Sequence, residues 1–200
     1  MTLYCATSNP GKLREFHLAA GPGWEFVPLA GVPPCEETGE SFEENAIQKA
    51  VYYSRHAPGL LFAEDSGLEV GALGGAPGVR SARFAGDGAS DDDNNRLLLE
   101  KLRGVSNRSA RYRCAIALAE AGRVLQTFRG EVAGEIIDEP RGTEGFGYDP
   151  YFLYKPLGRT FAEIAPEQKL AVSHRGHAIA HMMDWLRHIA PSVSAGMVPR

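Results

Sequence analysis

Cysteine is scarce in this chain. Cys5, Cys35 and Cys114 are the only three among 200 residues, and no two are spaced as CxxC. An odd, scattered set excludes a disulfide scaffold and a structural zinc cluster, and it suits a reducing compartment. Long apolar runs are missing as well, none approaching the roughly 20 residues that cross a bilayer. The first twelve residues lack the apolar stretch of a secretory signal. The expectation is a soluble cytoplasmic protein with no membrane partner. Strong charge of either sign is also absent: the net charge is −4, which gives no electrostatic reason to bind nucleic acid. An anionic ligand must therefore be met by locally placed lysines and arginines, or by a metal. There is no GxxxxGK[ST] loop and no HExxH. His177 and His181 stand four apart, but without the glutamate of a zinc protease, so they read as ordinary surface or core histidines. No internal repeat or low-complexity segment appears.

What is present centres on residues 61–86, LFAEDSGLEVGALGGAPGVRSARFAG. The apolar run at 61–63 reads as a short strand that delivers Glu64 and Asp65 to its end, with Ser66 and Gly67 turning the chain. Open α/β sheets place ligand-contacting groups outside the carboxyl ends of their strands. Paired carboxylates there can hold a hard divalent cation and can take a proton. The glycines that follow let backbone pass close to a bound group.

Around this stretch the elements alternate. LYCAT at 3–7 is a buried strand. Asn9 then caps a helix over 12–20, with Pro10 at its first position. Residues 24–29 form a second strand. Ser41 with Glu44 makes a capping box for a helix over 42–56. A helix over 90–103 carries acids in its first turn. Strands at 111–119 and 124–132 flank Ala121-Gly122 as a hairpin, and 151–154 is a short strand. Helical residues begin at Pro166, an amphipathic helix covers 178–189, and 191–200 is a loose tail. Helices alternating with strands early, and locally paired strands later, predict an α/β fold with a mixed sheet. One domain over 1–190 suits the length.

Four further groups carry chemistry. Thr7, Ser8, Asn9, Pro10, Gly11 and Lys12 make a strand-to-helix turn with free N–H groups and a point charge suited to phosphate. A capped helix beside a solvated lysine is the plainer reading of the same residues. Glu36 and Glu37 form a second acidic pair, in a loop over 31–40. Phe146, free of close side-chain neighbours between two glycines, offers a ring on which a planar base can stack. Gly147, Tyr148 and Asp149 follow it. Lys169, His174 and Arg175 can meet a phosphate or a base carbonyl.

These residues lie in blocks: TSNPGK at 7–12, EETGESFEENAIQKA at 36–50, AEDSGLEVGALGGAPGVRSARFAG at 63–86, GFGYDPYF at 145–152 and SHRGHA at 173–178. In order and spacing they resemble the inosine triphosphate pyrophosphatase family, also described as dITP/XTP pyrophosphatases. The resemblance implies a long mixed sheet flanked by helices, two lobes with a central cleft, and a homodimer. It implies Mg²⁺-dependent hydrolysis of ITP, dITP and XTP to the monophosphate and pyrophosphate. Carried over by position, residues 7–12 hold the triphosphate. Asp65 is general base and metal acid with Ser66 beside it, and Glu36 or Glu37 completes the metal site. Residues 146–149 embrace base and sugar, and Lys169, His174 and Arg175 finish the pocket. Two residues depart from the pattern: Glu64 stands where many bacterial members have aspartate, and Ser8 replaces a common glycine. Two other readings remain open, turnover of other modified or pyrimidine triphosphates, and a nucleotide sensor that does not hydrolyse.

Overall fold

A computed structural model of the protein describes residues 1–7 and 9–194. Ser8, expected in the phosphate turn, and 195–200 of the expected tail lie outside the described residues.

Seven strands form one mixed sheet in the order β2-β1-β3-β4-β5-β6-β7. The strands are β1 (Thr2–Ala6), β2 (Glu25–Pro28), β3 (Leu61–Val70), β4 (Ser109–Glu120), β5 (Arg123–Ile136), β6 (Phe152–Tyr154) and β7 (Arg159–Thr160). β1 pairs in parallel with β2 and β3, and every later pairing is antiparallel. The mixed sheet expected from the alternation is therefore what the chain forms. Among the described residues five α-helices accompany it: α1 (Pro10–Ala19), α2 (Phe42–Ser54), α3 (Asp91–Lys101), α4 (Pro166–Val172) and α5 (His174–Ser194). Asn9 caps α1, with its side chain accepting from the Lys12 amide, and Ser41 and Glu44 close the capping box of α2. No helix among the described residues is long and apolar enough to cross a membrane.

Strand periodicity explains how the layers assemble. Along β4, Cys114, Ile116 and Leu118 face one way and Ala115, Ala117 and Ala119 the other, and all six are buried. A central strand covered on both faces must be apolar at both parities. The larger set packs with Leu3, Cys5, Phe62 and Phe128 beneath α1 and α5. The alanines meet Phe42, Ala46 and Ala50 of α2, whose own small residues let that helix sit close to the sheet. A further cluster (Leu68, Val70, Leu98, Leu102, Tyr112, Val132, Phe152 and Phe161) fills the far ends of β3, β4 and β5 under α3. The cleft described below opens beside Tyr112 and Tyr148 of this last cluster.

Three expectations change. β3 does not stop at Ala63: it runs through Val70, so Glu64 and Asp65 lie mid-strand, and Ser66 and Gly67 continue it instead of turning it. Ten consecutive residues pair with β4, and the buried Leu68 and Val70 prolong the alternation beyond the acids. Gly67 serves close approach here: a Cβ would stand 2.6 Å from the Gly78 carbonyl oxygen. The last helix begins at His174 and reaches Ser194, covering part of the expected tail, while α4 is a separate short helix that ends at Val172, with Ser173 extended after it. β7 was not expected at all, since two residues carry no periodicity to read.

α5 is seated on β5 through Gly130, where an added Cβ would overlap the His174 carbonyl oxygen and lie 2.6 Å from the Ala178 amide nitrogen. Backbone cannot yield as a flexible side chain does, so Gly130→Ala is expected to destabilise the protein by about 1–3 kcal/mol. Urea unfolding followed by far-UV circular dichroism measures this.

Candidate active site

Because strand side chains alternate, Glu64 and Ser66 point to the α1/α5 face and Asp65 to the α2 face. The paired-acid reading of Glu64 and Asp65 as one cation site therefore does not hold. β1 pairs with β3 only as far as Ala63, so the two acids stand on opposite faces of β3 at the edge that β1 leaves uncovered, and each organises its own cluster.

On the α1/α5 face Glu64 is fully buried between two cations. Its Oε1 accepts from Arg175 Nη2 at 3.0 Å, and its Oε2 lies 2.7 Å from Lys12 Nζ. Arg175 Nη2 also donates to Ser66 Oγ at 2.8 Å, and its Nη1 pairs with Glu15. The other oxygen of Glu15 lies 2.7 Å from Lys169 Nζ, which donates to Asp149 Oδ2 at 2.5 Å. Asp149 further accepts from the Phe146 amide at 2.9 Å and from Tyr112 Oη at 3.3 Å. His174 stacks on Tyr112 with ring centroids 4.6 Å apart.

Local sequence produces this convergence. Lys12 and Glu15 are three apart on α1 and share a face. Lys169 stands in the last turn of α4, Ser173 breaks the helix, and His174 and Arg175 open α5 toward the same point. The Phe146 ring crosses over Gly11, where a Cβ would lie 2.7 Å from its Cε1, so this helix position must be glycine. Lys169 Nζ sits 4.9 Å and the Arg175 guanidinium 5.6 Å from the centre of that ring.

The titration pattern follows from burial and pairing. Burial pushes the Glu64 carboxyl up, but Arg175 and Lys12 overcome it and hold the group well below its ordinary value. Glu15 is likewise raised by burial and carried below its usual range by Arg175 and Lys169. His174 is driven well below the normal imidazole value by burial, then by the neighbouring Arg175 and Lys169, so it is neutral. A neutral imidazole holds one donor and one acceptor nitrogen, which a base edge can use. Between these groups lies a cleft of about 120 Å³ lined by Asn9, Lys12, Ser66, Tyr148, His174 and Arg175 among others.

On the α2 face Asp65 accepts from Lys49 Nζ at 3.0 Å and from Asn45 Nδ2 at 3.2 Å. Lys49 Nζ also donates to Glu37 Oε2 at 3.2 Å, so two carboxylates from separate segments meet at one ammonium. Burial raises Asp65 above the usual carboxylate value despite Lys49 and Lys12. Lys49 is lowered by burial and carried above its ordinary value by Asp65 and Glu37. Glu36 is exposed, whereas Glu37 reaches Lys49, and this separates the two neighbours that sequence left equivalent.

The Ham1 family model matches residues 3–185. The chain belongs to the Ham1 family. It is 51% identical over 192 residues to a protein of Acidobacterium capsulatum named dITP/XTP pyrophosphatase, covering 90% of this chain and 95% of the relative. A Bacillus subtilis protein of the same name is 43% identical over 187 residues, covering 90% and 94%. The structure of a HAM1 protein from Coxiella burnetii superposes with a TM-score of 0.85 at 40% identity, covering 94% of this chain and 99% of that one. These relatives bear out the resemblance read from the motif blocks.

In this Ham1 protein the expected residues fall into two groups. Asn9, Lys12, Ser66, Phe146, Gly147, Tyr148, Asp149, Lys169, His174 and Arg175 line one cleft. Thr7 stays behind it, its Oγ1 accepting from the Asn9 amide at 3.2 Å, and Pro10 and Gly11 form the start of α1. Asp65 and Glu37 meet on the opposite face. Sequence reasoning missed Glu15, Asn45, Lys49, Tyr112 and the pairing role of Glu64. A signal existed for three of them: Glu15, Asn45 and Lys49 are polar residues on otherwise apolar helix faces.

Glu64→Gln leaves Arg175 short of its partner inside the protein, so a loss of about 3–5 kcal/mol at pH 7 is expected. The folded carboxyl titrates below the unfolded one, so its stabilisation is complete above the unfolded value of about 4.3 and fades as pH falls below it. The gap between wild type and variant should therefore narrow from pH 5 to pH 3 in urea melts.

Proposed function

We propose that this protein hydrolyses deaminated purine nucleoside triphosphates (dITP, ITP and XTP) to the monophosphate and pyrophosphate, clearing them from the nucleotide pool. The observation that carries the reading is the neighbouring pair on β3. Glu64 anchors Lys12 and Arg175 beside the cleft, and Asp65, one residue on, is held among Lys49, Asn45 and Glu37. The names of the relatives supply the substrate class.

In this reading the base stacks on Phe146, and residues 147–149 enclose base and sugar. Arg175 and His174 face the 6-oxo group of hypoxanthine or xanthine. Adenine presents an amino donor at that position, leaving buried donors unpaired, and such a mismatch discriminates strongly. The residues 7–12 turn and Lys12 receive the triphosphate with amide donors and one positive charge. Asp65 takes a proton from the water that attacks the α-phosphorus. The bond to the bridging oxygen breaks and pyrophosphate departs. A carboxylate whose proton affinity is raised by burial suits that task better than an exposed one.

Mg²⁺ fits the acids of the α2 face. Glu37 and Asp65 converge on a single cation, the Lys49 ammonium, at 3.2 and 3.0 Å, and both offer hard oxygen donors. Magnesium characteristically takes one or two carboxylates together with substrate phosphates. When bound, it would neutralise charge on the leaving pyrophosphate. Glu36 is exposed and has no part in this assignment. The homodimer and the cytoplasmic location belong to the same reading, and sedimentation equilibrium tests the former.

Pyrophosphate release from dITP and XTP in Mg²⁺ is expected to exceed that from dATP, dGTP and dUTP, and to stop with chelator. Asp65→Asn should lower kcat by roughly 10²–10⁴-fold, as loss of a general base does. A preference for dUTP would reject the substrate assignment, and an unchanged rate in the variant would reject Asp65 as base.

A further inference from the structure

Helix α3 carries a polar stripe where a buried helix face is normally apolar. Asp91, Asn94 and Asn95 are related by three and four residues and so share one side. Asn94 and Asn95 are buried. None of the three serves the helix itself, because Ser90 and Asp93 already complete its capping box. All three reach instead to the backbone of cleft loops. Asn94 Oδ1 accepts from the Ala85 amide at 2.9 Å, and its Nδ2 donates to the Ala82 carbonyl at 3.3 Å. Asp91 Oδ2 accepts from the Gly147 amide at 2.7 Å, while Asn95 Nδ2 donates to the Gly147 carbonyl at 3.0 Å.

Both hydrogen-bonding groups of one glycine, 52 or more residues further along the chain, are thus held by consecutive turns of α3. Gly147 has φ +64° and nothing within 4 Å of an added Cβ, so packing does not hold it in place. Gly145 beside it also has positive φ. Between them stands Phe146, whose ring crosses Gly11 on the far side of the cleft. Asn95 retains its place although its Oδ1, buried, has no partner among the described residues. An amide kept at that cost is kept for its donor.

We propose that Asp91 and Asn95 are positioning residues that clamp the two peptide groups flanking Gly147 and thereby set the Phe146 ring at the height at which it stacks on the nucleobase. This deepens the pyrophosphatase reading and rests on it. The clamp acts on base binding and leaves the phosphate end alone, because neither residue touches Lys12, Asp65 or Lys49.

Asp91→Ala should raise KM for dITP about tenfold, the loss expected for one hydrogen bond to a charged group, with kcat changed less than about threefold. Asp91→Asn, whose amide oxygen can still accept from Gly147, should recover most of that loss. Asn95→Asp, equal in shape but without the donor, should behave like Asp91→Ala. Inhibition by inorganic tripolyphosphate, which has no base, should stay constant across the series. Hydrogen exchange of the Gly147 amide should quicken in Asp91→Ala and not in Asp91→Asn, a readout independent of turnover. An unchanged KM in Asp91→Ala, equal losses in Asp91→Ala and Asp91→Asn, or weaker tripolyphosphate inhibition would each overturn the clamp. A wild type that releases no pyrophosphate while the exchange pattern holds would reject the enzyme reading and leave the clamp standing.

Discussion

The buried ion pair between Glu64 and Arg175 is the contact on which the rest of the cleft depends. A guanidinium and a carboxylate removed from water are each costly, and they persist only when paired and fully hydrogen-bonded. Here the cost is spread over a network. Arg175 meets Glu64, Ser66 and Glu15; Glu15 meets Lys169; Lys169 meets Asp149; and Glu64 meets Lys12. Three carboxylates and three cations alternate, so each charge faces its opposite. Their carriers come from α1, β3, the loop before β6, α4 and α5, and the network therefore ties the elements around the cleft together.

Such a network has a second property. Arg175 and Lys169 are held in place before any ligand arrives, and their faces rest against the Phe146 ring. A preorganised cation loses little freedom on meeting an anionic or carbonyl group. The neutral state of His174 follows from the same neighbours, since two adjacent cations and burial both oppose its protonation. The polar chemistry of the cleft is thus set by mutual electrostatics among the protein's own groups.

On the opposite face the logic is different. Asp65, Glu37 and Lys49 form a small cluster with two acids on one base, a local excess of negative charge. Excess negative charge near a cleft built from cations is a fitting arrangement for a cation that travels with a polyphosphate. Period-two alternation lets a single strand serve both: Glu64 faces the structural network, and Asp65 faces Asn45 and Lys49 of α2, with the loop acid Glu37 on the same ammonium.

Much of this was legible from residue order alone. The caps at Asn9 and Ser41, the mixed sheet, and the cleft residues in the segments at 7–12, 145–152 and 173–178 follow from local rules and motif spacing, because capping, turn chemistry and periodicity act within a few residues. The length of β3 did not follow, since Glu-Asp-Ser-Gly reads locally as a strand end. Ten residues of pairing with β4 overrule that local preference. Nor did sequence distinguish Glu36 from Glu37, or reveal that adjacent Glu64 and Asp65 serve opposite faces. Those assignments depend on which way a side chain points once the sheet is paired, and on partners such as Arg175, 111 residues away along the chain. Residue types and short-range elements belong to the sequence. The pairing of charges was decided only by the tertiary structure, because a buried charge takes its role from whatever the fold sets beside it.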